Sequence, residues 1–184
     1  GSDDAQALAT AREEVRRLAD MVGDLLVVSR LEGGLRAVKA PAELRPLLER
    51  SARVLAARAA DAGASLEVRA ADAAAPLDEA LVRRAVDNLL SNALRHVGAG
   101  DRIELSAEPE PAAIRLAVRN SGPPVPEAIR DRIFEKHVTH GSRQWHNAGL
   151  GLYLCRLVAE AHGGTIALQD RPGWNVSFEL SLPG

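Results

Sequence analysis

Asn88 and Asn92 stand four residues apart in the run Asp87-Asn88-Leu89-Leu90-Ser91-Asn92-Ala93-Leu94-Arg95-His96. In a helix, that spacing puts both carboxamides on one face, and Arg95 and His96 carry the face onward. The opposite face is an apolar stripe of Leu81, Val82, Ala85, Val86, Leu89, Leu90, Ala93 and Leu94. Asparagine is a poor helix former, so two on one face cost stability unless their amides have work to do. Amide oxygens coordinate a hard cation and a guanidinium neutralises phosphate, which together suit a magnesium-bound polyphosphate. A solvated polar face with capping asparagines is the plainer alternative.

Two further places resist a purely structural account. In Arg119-Asn120-Ser121-Gly122-Pro123-Pro124-Val125-Pro126, Asn120 shares strand parity with Ile114, Leu116 and Val118. An amide turned to the core side is expensive unless satisfied, and a ligand amino group is one partner for it. Gly122 lets the backbone approach such a ligand closely. The competing reading is a Pro-rich turn with a turn-forming Asn. In Asn147-Ala148-Gly149-Leu150-Gly151-Leu152, two glycines open a helix, where exposed N–H groups and the positive dipole end favour phosphate. An ordinary loop-to-helix junction has the same look. Between these two places runs a long segment bearing Gly, His and Arg, the kind of loop that often forms a lid.

The elements that must hold these residues follow from periodicity. From Asp4 to Glu32 a helical pattern places Leu8, Ala11, Val15, Leu18, Val22, Leu25 and Ser29 on alternating three- and four-residue steps, the seam of a coiled coil or helical bundle. Gly33-Gly34 ends it. Helices are expected over Glu43–Ala62, Leu77–Val97 and Leu150–Ala161, with a short one around Glu127–Phe134. Strands are expected over Ser65–Arg69, Arg102–Ala107, Ala113–Arg119, Thr165–Gln169 and Asn175–Leu182, the last four forming two hairpins. Helices and antiparallel hairpins that segregate in this way predict an α+β fold, a sheet with helices on one face.

Composition narrows the function classes. The 184 residues carry 23 Lys+Arg against 25 Asp+Glu, a net charge of −2, which argues against a general nucleic-acid binder. No long unbroken apolar stretch predicts a membrane span. The single cysteine, Cys155, excludes a disulfide framework or a cysteine-ligated zinc site and reads as a small buried hydrophobe. A cytoplasmic domain excised from something longer, free or membrane-anchored, fits these numbers. The irregular spacing of His96, His137, His140, His146 and His162 argues against a metal site.

Taken in order, the motifs resemble the ATP-binding catalytic domain of sensor histidine kinases. Asn88–Ala93 is similar to that family's N box, Asn120-Ser121-Gly122 to its first glycine box, Phe134-Glu135-Lys136 to its F box and Gly149–Leu152 to its second glycine box. Ala161–Ile166 resembles the family's helix-to-strand exit. The resemblance covers about residues 40–184, and the N-terminal helix resembles the second helix of a dimerisation and phosphotransfer domain. It implies two parts, a partial dimerisation helix over 3–35 and a catalytic domain over 36–184. The implied fold is a Bergerat-type two-layer sandwich, a mixed, largely antiparallel sheet covered by helices.

The resemblance also assigns roles. Asn92 would be the main protein ligand of Mg²⁺ with Asn88 beside it, Arg95 would contact the phosphates, and His96 would lie against the nucleotide. Asn120 and Gly122 would border the adenine, and Gly149, Leu150, Gly151 and Leu152 the triphosphate. Lys136 or Arg143 would reach it from the lid. Asn88 stands where gyrase-type relatives carry a water-activating glutamate, and an amide cannot take that proton. Transfer to another group is therefore favoured over hydrolysis. The implied acceptor is a histidine on a dimerisation helix that nothing in this chain matches, with a response regulator downstream and a homodimer through the N-terminal helix. The chain is expected to bind ATP without phosphorylating itself. Asn120 replaces the family's usual aspartate, Pro124 a frequent glycine and Ala148 a common threonine. Those departures support a rival reading, a signalling scaffold with a degenerate pocket. A serine kinase of the anti-sigma-factor type is the other rival.

Overall fold

In the computed structural model the structure describes residues 2–138 and 149–184. Helix α1 (Ser2–Glu32) leads by an extended segment into β1 (Ala40–Glu43), α2 (Leu44–Asp61), β2 (Ser65–Ala70) and β3 (Ala74–Leu77). There follow α3 (Glu79–His96), β4 (Arg102–Pro109), β5 (Ala113–Asn120), the single turn α4 (Glu127–Arg130), α5 (Gly151–Ala161), β6 (Thr165–Leu168) and β7 (Val176–Pro183). The main sheet has the order β2-β4-β5-β7-β6. Its β2–β4 pair is parallel and the other three pairs are antiparallel. This is the expected mixed, largely antiparallel sheet, covered by α2, α3 and α5.

Alternation decides which side is covered. Ile103, Leu105 and Ala107 of β4, Ile114, Leu116 and Val118 of β5, and Val176, Phe178, Leu180 and Leu182 of β7 are all buried in one core cluster. They meet Leu44, Leu47 and Leu48 of α2, Leu89 and Leu90 of α3, and Leu154 of α5, each no more than 1% exposed. The other face of the sheet is a charged lattice. Arg119 donates to Glu104 and to Ser106 Oγ, and Arg171 forks onto Glu179, which also accepts from Ser177 Oγ. The Arg171 guanidinium, with help from Ser177 and Arg119, holds the Glu179 carboxyl down at about 2. Both carboxylates are buried but paired, so their desolvation is offset.

Two features differ from the sequence expectation. A second, two-stranded ribbon pairs Ala40–Glu43 antiparallel with Ala74–Leu77. Alanines and prolines in both strands leave no alternation by which to read it. The helix expected over Glu127–Phe134 stops at Arg130 and continues as turns.

The start of α3, which sets the register of the polar stripe, is fixed from three directions. Asp78 caps it, Oδ1 accepting from Leu81 N at 3.2 Å. Its Oδ2 accepts from Val38 N, and its own backbone N–H donates to His162 Nε2 at 3.0 Å. His162 is 3% exposed, with Nδ1 2.7 Å from the Val158 carbonyl. That bond defines the neutral tautomer, in which Nδ1 donates and Nε2 accepts. Burial pushes the imidazole below its ordinary range.

Candidate functional site

The site is built along the polar stripe of α3. Arg84, Asn88 and Asn92 follow one another at four-residue intervals and are half-buried, while Arg95 and His96 are exposed on the last turn. Asn88 Nδ2 donates to the Arg84 carbonyl at 3.0 Å. Its Oδ1 faces the opening of α5, and a Cβ added at Gly151 would stand 2.7 Å from it. A side chain at Gly151 would displace that amide from its present position, so the glycine lets α5 start beside the stripe with Asn88 undisturbed.

The same device joins the remaining motifs. At Gly122 an added Cβ would stand 2.3 Å from the His96 carbonyl oxygen and 3.1 Å from Asn120 Nδ2. At Gly149, with φ at +66°, an added Cβ would stand 2.6 Å from the His137 backbone, and the Gly149 carbonyl accepts a hydrogen bond from His137 N at 3.2 Å. Phe134 seats the preceding segment on β7, its ring edge-on to Phe178 with centroids 5.8 Å apart. Close approaches at these three glycines tie the two glycine motifs to α3, at His96 and Asn88, and the segment after Phe134 to the second of them, at His137.

Not every expected residue offers its side chain. Leu150 is 6% exposed and joins the core, and Leu152 packs against that core. What Gly149–Leu152 presents is backbone at a helix N-terminus, where the first N–H groups lack intrahelical acceptors and the dipole is positive. Asn120 closes β5 with 2% exposure, opposite Ile103 and Val176 in the ladder. Its parity is as expected, and its Nδ2 has no hydrogen-bond partner among the described residues. Lys136 is turned to α1, with Nζ 2.8 Å from Glu32 Oε1 and 5.6 Å from the centre of the Tyr153 ring. Arg143 lies outside the described residues, as do His140, Trp145 and His146.

The structure adds residues that the sequence reading missed. Arg84 Nε pairs with Asp24 of α1 at 2.6 Å, and Asn88 Nδ2 reaches the same carboxylate oxygen at 3.5 Å. Arg84 was findable, since it continues the four-residue stripe backward. Asp24 and Glu32 had no such signal, because their partners lie far along the chain. Lys136 and the Tyr153 hydroxyl both donate to Glu32 and hold its carboxyl below the usual range. Cys155 is fully buried beside the Ala85 carbonyl, and burial raises its thiol, so it stays inert packing.

With this arrangement in view, likeness to known proteins can be weighed. Residues 77–184 match the family described as histidine kinase-, DNA gyrase B-, and HSP90-like ATPase. The chain is 35% identical over 185 residues to the alginate biosynthesis sensor protein KinB of Pseudomonas aeruginosa, covering 99% of this chain and 31% of KinB. It is 33% identical over 183 residues to the signal transduction histidine-protein kinase BaeS of Escherichia coli, covering 97% of this chain and 39% of BaeS. The chain therefore spans between about a third and two fifths of these relatives. Among solved structures, the ATP-binding domain of PrrB from Mycobacterium tuberculosis superposes with a TM-score of 0.63 at 32% identity, over 80% of this chain and 98% of that one.

Proposed function

From the premise that the chain belongs to the histidine kinase-, DNA gyrase B- and HSP90-like ATPase family, as a histidine kinase ATP-binding catalytic domain, we propose how its residues serve phosphoryl transfer. The full-length protein would transfer the γ-phosphoryl group of ATP to a histidine on a dimerisation helix, for relay to a response regulator. The observation that carries this reading is the meeting of both glycine boxes with the polar stripe of α3 at Gly122 and Gly151.

Each residue then has a part. Asn120 and Gly122 border the base, and His96 lies against the nucleotide. Gly149 and Gly151 with the N–H groups of Leu150 and Leu152 cradle the phosphates, as helix N-termini do. Arg95 neutralises phosphate charge, and Arg143 and Lys136 reach it from the lid, Lys136 after leaving Glu32. The amide oxygens of Asn92 and Asn88 are a donor set that fits Mg²⁺, which keeps waters and substrate phosphates among its ligands. When bound, the ion neutralises charge on the transferring group. Asn88 supplies no base for water, so hydrolysis stays slow and the phosphoryl group is kept for the acceptor.

Residues 3–35 would belong to the dimerisation helix and 36–184 to the catalytic domain, with a homodimer formed through α1. No described helix is long and apolar enough to cross a membrane, and we place the domain in the cytoplasm. Titration with ATP tests the site. Saturable binding in the presence of Mg²⁺ is expected, at least tenfold weaker in Asn92→Ala, with no acid-labile phosphate on this chain after incubation with ATP alone. No saturable binding at millimolar ATP would sink the reading.

A further inference from the structure

We propose that Asn120 makes the base site bidirectional, so that this domain accepts 6-oxopurine nucleoside triphosphates (GTP and ITP) alongside ATP. The inference rests on the nucleotide placement given above and concerns which bases that site admits.

Three observations support it. Asn120 is 2% exposed at the end of β5, and its ladder partners Ile103 and Val176 are apolar and buried. Its Nδ2 has no hydrogen-bond partner among the described residues, although it is fully buried. The turn that follows presses close, a Cβ at Gly122 standing 3.1 Å from that nitrogen. The amide is thus confined, while no bond from Nδ2 fixes which way round it sits. A buried donor without an acceptor is costly, and a ligand that supplies the acceptor recovers the loss.

The purine edge supplies one in two ways. Adenine presents its exocyclic amino donor beside a ring-nitrogen acceptor. A carboxamide meets that pair at two points, Oδ1 accepting and Nδ2 donating, as Asn does with adenine edges elsewhere. Guanine and hypoxanthine present the reverse, an O6 acceptor beside the N1–H donor. A carboxamide turned about its Cβ–Cγ bond presents the reverse too, with Nδ2 donating to O6 and Oδ1 accepting from N1–H. A carboxylate only accepts, so it repels O6 and cannot meet hypoxanthine at two points, and it reaches guanine only by moving along the edge to the N1–H and 2-amino donors. Residue 120 therefore sets the base selectivity of the site, and asparagine widens it.

Competition against a fluorescent ATP analogue, with Mg²⁺ present, measures the Kd of ATP, GTP and ITP. The expected Kd for GTP lies within about tenfold of that for ATP, a difference of no more than about 1.4 kcal/mol. In Asn120→Asp the ITP-to-ATP ratio of Kd values should rise at least tenfold, because hypoxanthine lacks the 2-amino donor through which guanine can still meet a carboxylate. Asn120→Ala, which removes both amide functions, should weaken ATP and GTP by the same factor within about threefold. A wild-type GTP-to-ATP ratio above tenfold, an ITP-to-ATP ratio unchanged in Asn120→Asp, or a loss in Asn120→Ala confined to ATP would overturn the proposal. Absence of any ATP binding would instead remove the nucleotide reading itself.

Discussion

The two halves of α1 obey one helical pattern and live in different surroundings. Over its first turns the helix shows Leu8, Val15, Leu18 and Val22 to solvent, and these side chains are 54–66% exposed. Over its last two turns Val28 is 1% exposed and Leu31 8%, both within the core cluster of the catalytic domain. Charge holds that end as well, through Asp24 on Arg84, the Asp20 carbonyl on Arg84 Nη2, and Glu32 on Lys136 and Tyr153. The contrast teaches that helical periodicity reveals which residues want a partner, whereas the partner itself is chosen by neighbours distant in sequence. The docked stripe of Asp20, Asp24, Val28 and Leu31 runs beside the seam of Val22, Leu25 and Ser29.

The largest expected effect comes from breaking the docked half. Val28→Asp buries a carboxylate among Leu side chains, at a cost of about 3 kcal/mol or more. For a chain of this size that lowers Tm by roughly 6–12 °C, read by calorimetry, and exposes α1 to protease. An unchanged Tm would mean that the last turns contribute nothing to the fold.

The clasp comes next. Arg84→Ala leaves Asp24, with 16% side-chain exposure, beside Asn88 without its guanidinium. The pair is only partly desolvated, so the loss is about 1–2 kcal/mol, and Asp24→Asn should cost less. Because Asp24 also reaches Asn88 Nδ2, its neutralisation removes negative charge from the proposed phosphate site. ATP affinity in Asp24→Asn should rise a few-fold by titration calorimetry. A fall would show that Asp24 helps position Asn88.

How legible all this was in the sequence follows from the range of each interaction. The stripe Asn88–Asn92 and the parity of Asn120 are local consequences of helix and strand geometry, and the residues stand where periodicity put them. Gly122 reads from the sequence as a close approach to a ligand and Gly149 and Gly151 as a phosphate-facing helix start, whereas the protein groups each one stands against are a matter of tertiary packing. Lys136 was expected to face phosphate and instead meets Glu32, a carboxylate 104 residues away in the chain. The β1–β3 ribbon was invisible because its strands are made of Ala and Pro with one Glu and one Leu.

A smaller effect follows from pH at the far end of the docked half. The segment after α1 is tied down where Ala37 N meets the Ala161 carbonyl and Val38 N meets Asp78. His162 joins the same corner as a neutral acceptor for Asp78 N–H. Burial lowers its folded pKa, so the unfolded chain binds more protons in the window below its ordinary value near 6.5. The stability it contributes is fully present above that value and is lost as pH falls toward the folded pKa. Tm should therefore drop between pH 7.5 and 5.5, and His162→Gln should flatten that part of the slope. An equal slope in the variant would place the acid sensitivity elsewhere.

The smallest effect on the fold belongs to the exposed half. Leu18 is 57% exposed and Val22 57%, so Leu18→Asp removes no packing from the catalytic domain. The expected change in its unfolding free energy is within about 0.5 kcal/mol. The same substitution has a large consequence if the seam pairs with a second helix, since a charge at a seam position faces the partner's apolar row. Sedimentation of wild type and Leu18→Asp across a concentration series separates the two halves of the argument. Self-association that the substitution abolishes, with Tm of the dilute protein unchanged, makes the seam an interface and the docked end an independent clasp. A fall in the dilute-protein Tm comparable to that of Val28→Asp would erase the distinction between the halves, because the exposed turns would then carry part of the domain's own stability.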